Sequence, residues 1–274
     1  MDIFLHIGKT GGTTLSFPLR RLYGLWRTHH VGNKDRDGVR PTSYCNLSAT
    51  QKRKVRLIKG HILYGAHNYS PNHCRYFTLF RHPVDRVASF HRMLQKEMPN
   101  SRAGQMSLGE YIEKDARAHG RNAQLRIIAG RPPEAGSCNQ DTLEQAIQHL
   151  KDHFPVFGLT ERYDESLILM KRRLGWDAYP YYVTSRVGKD GNGEKEEREV
   201  DPEVEARIKE RNELDVKLYN YAQERFEEMI KAEGPGFQEE VNGFQKRNRF
   251  VGAASAVPLR IYRRVRRLFY LLRQ

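Results

Sequence analysis

The sequence contains little cysteine and no long apolar run. Its 274 residues include three cysteines, Cys45, Cys74 and Cys138, and no Cys-x-x-Cys pair. An odd, scattered set argues against both a disulfide framework and a zinc site, so we expect free thiols. A membrane-spanning helix needs about 20 apolar residues, and no segment approaches that length. The first strand-like segment begins at Asp2, which leaves no room for a signal peptide, and we therefore expect a cytoplasmic protein.

Positive charge is concentrated at one end of the chain. The formal net charge is +14, but residues 243–274 hold nine Lys or Arg and no acid, and the remaining residues comprise 38 basic and 33 acidic ones. A main domain this close to neutral does not favour a nucleic-acid partner. Within 257–274, arginines are interleaved with apolar residues at helical spacing, namely Ile261, Val265, Leu268, Phe269 and Leu272.

Such a basic amphipathic segment is typical of a helix that lies on an anionic membrane surface. It would make the protein peripheral at the inner surface of the membrane. Two alternatives remain open at this stage: the segment packs on its own domain, or it meets another subunit.

Strand-like and helix-like segments alternate along the chain. Strands are predicted near 2–7, 55–59, 75–80 and 154–158, and helices near 13–25, 84–97, 107–119, 140–152, 161–174 and 203–231. This alternation predicts an α/β fold with a central, mainly parallel sheet flanked by helices. Residues 28–50 are expected to form a long loop and 188–199 a lid. Gly234-Pro235-Gly236 marks the expected boundary between one domain over 1–234 and the tail over 235–274.

A glycine-rich turn with a lysine follows the first predicted strand. Gly8-Lys9-Thr10-Gly11-Gly12-Thr13-Thr14 lies between the apolar run that ends at Ile7 and a helix-like stretch. Glycines let backbone N–H groups close on an anion, and a helix N-terminus adds partial positive charge, so the pattern favours a phosphate site. It is not a Walker A motif, because the first glycine of that motif would fall at Ile3. The alternative is an ordinary connecting loop whose lysine is incidental.

A second anion motif follows another predicted strand. Arg81-His82-Pro83 comes directly after Phe77-Thr78-Leu79-Phe80, and Ser89 lies about two helical turns further on. Pro83 is suited to the first turn of a helix. Ligands of open α/β folds bind at the carboxyl ends of the strands, where Arg81 is expected to lie. An arginine fork with a hydroxyl nearby is suited to a phosphate monoester.

These motifs resemble those of sulfotransferases that use 3′-phosphoadenosine 5′-phosphosulfate (PAPS). Phe4–Thr14 resembles their 5′-phosphosulfate loop and Arg81–Ser89 their 3′-phosphate motif; Asn122–Gly130, Val156–Glu161 and Asn212–Ala222 are similar to the heparan sulfate 6-O- and 2-O-sulfotransferase branch. The resemblance spans about residues 2 to 231. It implies a P-loop-like three-layer fold, PAPS as donor, no metal, and a glycan or glycolipid hydroxyl as acceptor.

The resemblance also implies roles for individual residues. Lys9 would contact the 5′-phosphate and stabilise the leaving nucleotide, and Arg81 and Ser89 would bind the 3′-phosphate. Arg186 would reach the same phosphate from the lid. The other residues assigned to the 5′-phosphate are Thr10, Gly11, Gly12, Thr13 and Thr14.

A general base should have a pKa near neutrality and project from a neighbouring strand end. His61 fits, because Gly60-His61 directly follows the strand-like Val55–Lys59, and it matches the position of the catalytic histidine in the resembled enzymes. His67 is the reserve candidate, and His6 is expected to be a packing residue or to support the site.

Other functions stay open at this stage. A P-loop-type kinase would need Mg²⁺ and an acidic metal partner, which the sequence does not show. A basic binding module would explain the tail but not two separate anion motifs. Gln124 and Arg126 are expected on a helix, either lining the cleft or forming a polar surface.

Overall fold

A parallel sheet forms the centre of the molecule. The computed structural model describes residues 1–32, 38, 40–114, 121–131, 138–183 and 200–251. Four strands, β1 (Asp2–Leu5), β2 (Thr28–His30), β3 (Leu57–Gly60) and β4 (Arg75–Phe77), pair in the order β2-β3-β1-β4. All the pairings are parallel, with Ile3 opposite both Ile58 and Tyr76. Every residue of β1 and β3 is buried, as expected for strands covered on both faces.

The fourth strand continues beyond a break at Thr78. There the Thr78 hydroxyl donates to the Leu5 carbonyl over 2.7 Å. The chain resumes as β5 (Leu79–Phe80), which pairs in parallel with β6 (Gly158–Leu159). A Cβ at Gly158 would collide with Ser166, so the close packing at β6 requires glycine.

Helices flank the sheet. Their bounds are α1 Gly12–Tyr23, α2 Thr42–Cys45, α3 Ala49–Lys54, α4 Pro83–Glu97, α5 Arg102–Gln105, α6 Leu108–Lys114, α7 Ala123–Ala129, α8 Gln140–His153, α9 Tyr163–Leu174, α10 Pro202–Arg211, α11 Glu213–Ala232 and α12 236–251. In the described part of the chain, 3-10 turns occupy Leu25–Arg27 and Ala66–Tyr69. The predicted α/β class with a mainly parallel sheet is confirmed.

Local boundaries differ from the prediction in two places. The expected loop over 28–50 contains β2 and α2, because the polar Thr28-His29-His30 edge strand has no apolar pattern to mark it. The single helix expected over 203–231 is divided at Asn212. The buried Asn212 side chain accepts a hydrogen bond from the Asn122 backbone N–H at 2.9 Å, a contact that joins two distant helix starts.

The packed core continues past residue 234. Three residues of α12, Phe237, Val241 and Phe244, are buried in the main hydrophobic core, and Phe244 stacks on Tyr181. The proposed boundary at Gly234-Pro235-Gly236 therefore separates two helices, α11 and α12, that belong to the same packed unit. The predicted amphipathic segment over 257–274 lies outside the described residues. Within the described part of the chain, no helix has the length and apolar character needed to cross a membrane.

Candidate active site

The glycine-rich turn forms a tight loop between β1 and α1. Lys9 and Gly11 both have left-handed backbone conformations, with φ of 73° and 82°. The Thr10 hydroxyl donates to the Ile7 carbonyl at 2.9 Å and closes the loop from inside. Gly11 is the N-cap of α1, where no side chain caps the helix and the first turn contains no acid. The first N–H groups of α1 are thus available to an anion, beside the half-buried Lys9.

Neighbouring rings crowd two glycines of this loop, Gly11 and Gly12. A Cβ at Gly12 would collide with the His6 ring, and one at Gly11 would lie 3.0 Å from the Tyr163 ring. The Tyr163 hydroxyl donates to the Gly11 carbonyl at 3.3 Å. Thr13 is exposed and Thr14 half-buried at the start of α1. The backbone conformation and the close packing thus account for Gly11-Gly12.

Arg81 lies against this loop. It directly follows β5, and its guanidinium Nη1 donates to the Lys9 carbonyl at 3.2 Å. Burial lowers the pKa of the Arg81 guanidinium, while the Asp85 and Glu161 carboxylates act in the opposite direction. The two predicted anion motifs therefore meet at the carboxyl edge of the sheet. A partly desolvated cation at this edge would be stabilised further by a bound anion.

A buried glutamine holds the backbone of Arg81. The Gln124 side chain accepts a hydrogen bond from the Arg81 backbone N–H at 3.0 Å and donates to the Arg81 carbonyl at 2.8 Å. Gln124 is completely buried. Its expected place on a helix is confirmed, but this side chain contacts the protein backbone and does not form a surface.

The helix that carries Gln124, α7, is hydrogen-bonded to Asp215 of α11. Asp215 accepts hydrogen bonds from the backbone N–H groups of Gln124 and Leu125, at 3.2 and 2.7 Å. In return the Asn122 side chain accepts from the Asp215 backbone N–H at 2.9 Å. Burial raises the pKa of Asp215, and the charge of buried Arg86 and the two N–H donors act in the opposite direction. We call this group the Asn122–Asp215 lock.

The segment after β6 connects the two anion motifs from the other side. The Thr160 hydroxyl lies 3.0 Å from the Thr10 carbonyl oxygen and 2.8 Å from that of Phe80. Glu161 accepts hydrogen bonds from the His82 backbone N–H at 2.8 Å and the Tyr219 hydroxyl at 2.9 Å. Residues of three further segments therefore help to fix the positions of Lys9 and Arg81. These segments are Asn122–Gly130, Val156–Glu161 and Asn212–Ala222.

His61 lies beside the glycine-rich turn. Its Cε1 is 4.0 Å from the position of a Cβ built on Gly8. Its Nδ1 is 2.8 Å from the His6 carbonyl oxygen, which can only accept a hydrogen bond, so Nδ1 carries the proton and Nε2 is the basic nitrogen of the neutral ring. The His6 ring stacks on His61 with 4.3 Å between centroids.

The reserve candidate, His67, belongs to a separate cluster. Its Nδ1 lies 2.9 Å from the Tyr76 hydroxyl, and its ring stacks on His153 with 5.1 Å between centroids. Burial, the largest effect, lowers the pKa of His67, and His153 and His149 lower it further. No hydrogen bond or ring contact among the described residues joins His67 to the glycine-rich turn.

The remaining predicted site residues are less informative. Ser89 is half-buried on α4, and no hydrogen bond links it to the loop in the described part of the chain. Arg186 lies outside the described residues, so its assignment stays a prediction. No group of three or more His, Cys, Asp or Glu is placed to hold a metal ion among the residues that the structure describes.

Comparison with known proteins identifies the family. The sequence model of the galactose-3-O-sulfotransferase family matches residues 3–254. The chain belongs to this family. As a sulfotransferase, it is a transferase that moves sulfuryl groups. No curated protein matches the chain.

The family assignment confirms the broader resemblance, to sulfotransferases, and gives no specific support to the narrower one. The match is to the galactose-3-O-sulfotransferase family, and it does not point specifically to the heparan sulfate 6-O- and 2-O-branch. The residues that suggested that branch hold the two anion motifs together, as Gln124, Glu161 and Asp215 do. Residues with this supporting role do not indicate which acceptor the protein uses, because acceptor specificity depends on loops around the site.

Proposed function

We propose that the protein transfers the sulfuryl group of PAPS to a hydroxyl of a galactose-containing glycan or glycolipid. The observation that carries this proposal is the hydrogen bond between the Arg81 guanidinium and the Lys9 carbonyl. It brings two cationic phosphate motifs, each at the end of a parallel strand, to one edge of the sheet. A nucleotide with phosphates on both its 3′ and 5′ positions needs two such sites side by side. The family match supports sulfuryl transfer and, through the name of the family, a galactose acceptor.

The chain's own residues supply positioning and charge. Lys9 and the N–H groups at the start of α1 hold the 5′-phosphate, and Arg81 with Ser89 holds the 3′-phosphate. The loop residues from Thr10 to Thr14 shape the cradle, and Arg186 is proposed to close it. Because no bond to the protein is required, catalysis rests on alignment and on stabilising charge that develops on the leaving phosphate.

His61 is proposed to remove the acceptor proton. The acceptor oxygen attacks sulfur while the bond from sulfur to the bridging phosphate oxygen breaks. The acceptor proton passes to Nε2 of His61, and adenosine 3′,5′-bisphosphate leaves with the electron pair of the broken bond. The His6 carbonyl holds Nδ1–H and so keeps Nε2 as the accepting atom.

The P-loop-type kinase considered from the sequence has no support in the family match. It also requires Mg²⁺, which gives a direct distinction. Calorimetry with adenosine 3′,5′-bisphosphate in the presence of EDTA should show tight binding. Binding that appears only with Mg²⁺ and a nucleoside triphosphate would reject the sulfotransferase proposal.

Matched variants test the donor site. Lys9→Ala and Arg81→Ala each remove a charge-assisted contact of roughly 1.5–3 kcal/mol, so bisphosphate affinity should fall about ten- to a hundredfold. Arg225→Ala, which removes an exposed arginine paired with Glu228, should leave the affinity unchanged. Normal affinity in both site variants would refute the donor assignment.

The acceptor is tested separately. Oligosaccharides and glycolipids with terminal galactose should gain one sulfate, detected by mass spectrometry, when incubated with PAPS and the protein. Matched acceptors without galactose should not. Sulfation of the second set alone would reject galactose while leaving the donor chemistry intact.

A further inference from the structure

An exposed apolar pair lies at the opposite end of the sheet from the site. Leu25 and Trp26 occupy the 3-10 turn between α1 and β2, with 69% and 96% of their surfaces exposed. Gly24, with a φ of 79°, ends α1 and directs the turn outward. The other tryptophan, Trp176, is only 7% exposed and donates to the Tyr23 hydroxyl at 2.9 Å.

Exposed cations surround this pair. The Arg56 backbone N–H donates to the Arg27 carbonyl at 2.8 Å, which places the start of β3 beside the turn. The last turn of α3 adds Arg53 and Lys54. The side chains of all four cations are exposed, namely Arg27, Arg53, Lys54 and Arg56. Considering the described residues, none of the four forms an ion pair. We call Leu25, Trp26 and these four cations the Trp26 patch.

The charge around the patch differs from that of the other exposed helices. Arg207, Lys209, Lys217 and Arg225 on α10 and α11 each pair with a glutamate. By contrast, residues 3–84 contain 14 Lys or Arg and two acids, Asp35 and Asp37. Unpaired cations together with exposed apolar side chains are complementary to a surface that is anionic outside and apolar beneath.

We propose that the Trp26 patch binds the protein to an anionic lipid bilayer. The indole and the Leu25 side chain would enter the boundary between headgroups and acyl chains, and the four cations would contact the headgroups. A soluble polyanion would satisfy the cations but would offer nothing to a protruding leucine, so the apolar pair favours a bilayer. The patch precedes β2 and β3, whereas the site follows the ends of the strands. A protein bound in this way turns its site toward the solvent.

Fluorescence provides the test, because the chain has only two tryptophans. The full-length protein is mixed with vesicles of phosphatidylcholine and phosphatidylserine, with or without bromine on the acyl chains. Trp26 emission should shift to the blue and be quenched by the brominated lipid, while buried Trp176 should be unaffected. Trp26→Phe should therefore abolish the quenching. Vesicles of phosphatidylcholine alone should give neither the shift nor the quenching.

Charge variants test the cations independently. Arg53→Gln/Lys54→Gln/Arg56→Gln should weaken vesicle binding on the order of a hundredfold, since each cation near an anionic bilayer contributes about fivefold. The control, Lys209→Gln/Lys217→Gln/Arg225→Gln, removes the same charge from α10 and α11 and should bind normally. Melting temperatures of all variants check that they are folded.

Three outcomes would overturn the proposal. Sedimentation with vesicles without quenching of Trp26 would mean that another segment, such as 252–274, holds the protein on the bilayer. Equal binding by the two triple variants would mean that net charge, and not the patch, is responsible. Absence of vesicle binding together with patch-dependent binding to a soluble sulfated polysaccharide would identify a polyanion as the partner.

Discussion

The hydrogen bond between His61 Nδ1 and the His6 carbonyl decides which nitrogen of His61 is basic. Because the His6 carbonyl holds Nδ1–H, the lone pair resides on Nε2. We predict that His61→Ala binds adenosine 3′,5′-bisphosphate normally but loses roughly 10²–10⁴-fold in turnover, the usual contribution of a positioned base. Single-turnover transfer from labelled PAPS measures this loss. His67→Ala is the matched control and should retain most of the rate; the reverse result would reassign the base.

The lowered pKa values of three other histidines indicate how the free energy of unfolding depends on pH. Burial is the main cause that lowers the pKa of His67, His91 and His149 from the ordinary value of 6.5. Their stabilising contribution is therefore complete above that value. It is lost as the pH falls from there toward the folded-state pKa, because the unfolded chain binds protons first.

The free energy of unfolding in urea should thus be lower at about pH 5.5 than at about pH 7.5. His67→Gln should show a shallower pH dependence than the wild type. The control is His73→Gln, which changes an exposed histidine outside this buried group and should behave like the wild type. An unchanged slope in His67→Gln would show that His67 does not contribute.

Among the elements, α7 has the most specific positioning role. Its Gln124 side chain pairs with both backbone groups of Arg81, and the Asn122–Asp215 lock fixes the helix to α11. Gln124→Ala would leave buried polar groups of Arg81 without these partners, at a cost of about 1–3 kcal/mol each. We predict that bisphosphate affinity falls, because the Arg81 guanidinium loses its fixed position.

The control for Gln124 is another glutamine on a nearby helix. Gln148 is exposed on α8 and donates to Asp152 at 2.8 Å, away from Arg81. Gln148→Ala should leave both calorimetric affinity and melting temperature unchanged. If Gln124→Ala lowers the melting temperature but binds the bisphosphate normally at a temperature where it is folded, its role is structural only.

The sequence predicts those elements whose signals are local. The loop at Lys9, the arginine at position 81 and the histidine at position 61 each follow a buried apolar run, and a parallel sheet brings such strand ends to one edge. The Asn122–Asp215 lock joins residues about ninety positions apart in the chain, and no local pattern indicates that their side chains meet. The strand β2 cannot be predicted from the sequence either. Its own residues are polar, and its strand conformation depends on pairing with β3.

At the scale of the whole molecule, α12 decides where the folded unit ends. The sequence predicted a domain boundary at residue 234 and a tail over 235–274, whereas Phe237, Val241 and Phe244 are buried among core aromatics. Glu240 on the same helix pairs with Lys171 and Arg172 of α9. A truncation that removes 243–274 would therefore delete Phe244 from the core, whereas one that removes 252–274 would not.

We predict that deleting 252–274 leaves the melting temperature nearly unchanged and that deleting 236–274 lowers it strongly. Each buried phenylalanine contributes about 1.5–3 kcal/mol, a large part of a typical domain's stability. Point variants give a finer test within α12. Phe244→Ala should cost about 3–5 kcal/mol, while Phe250→Ala, which changes a side chain that is 79% exposed, should stay within about 0.5 kcal/mol of the wild type. Equal costs in urea unfolding would mean that α12 does not pack on the core through Phe244.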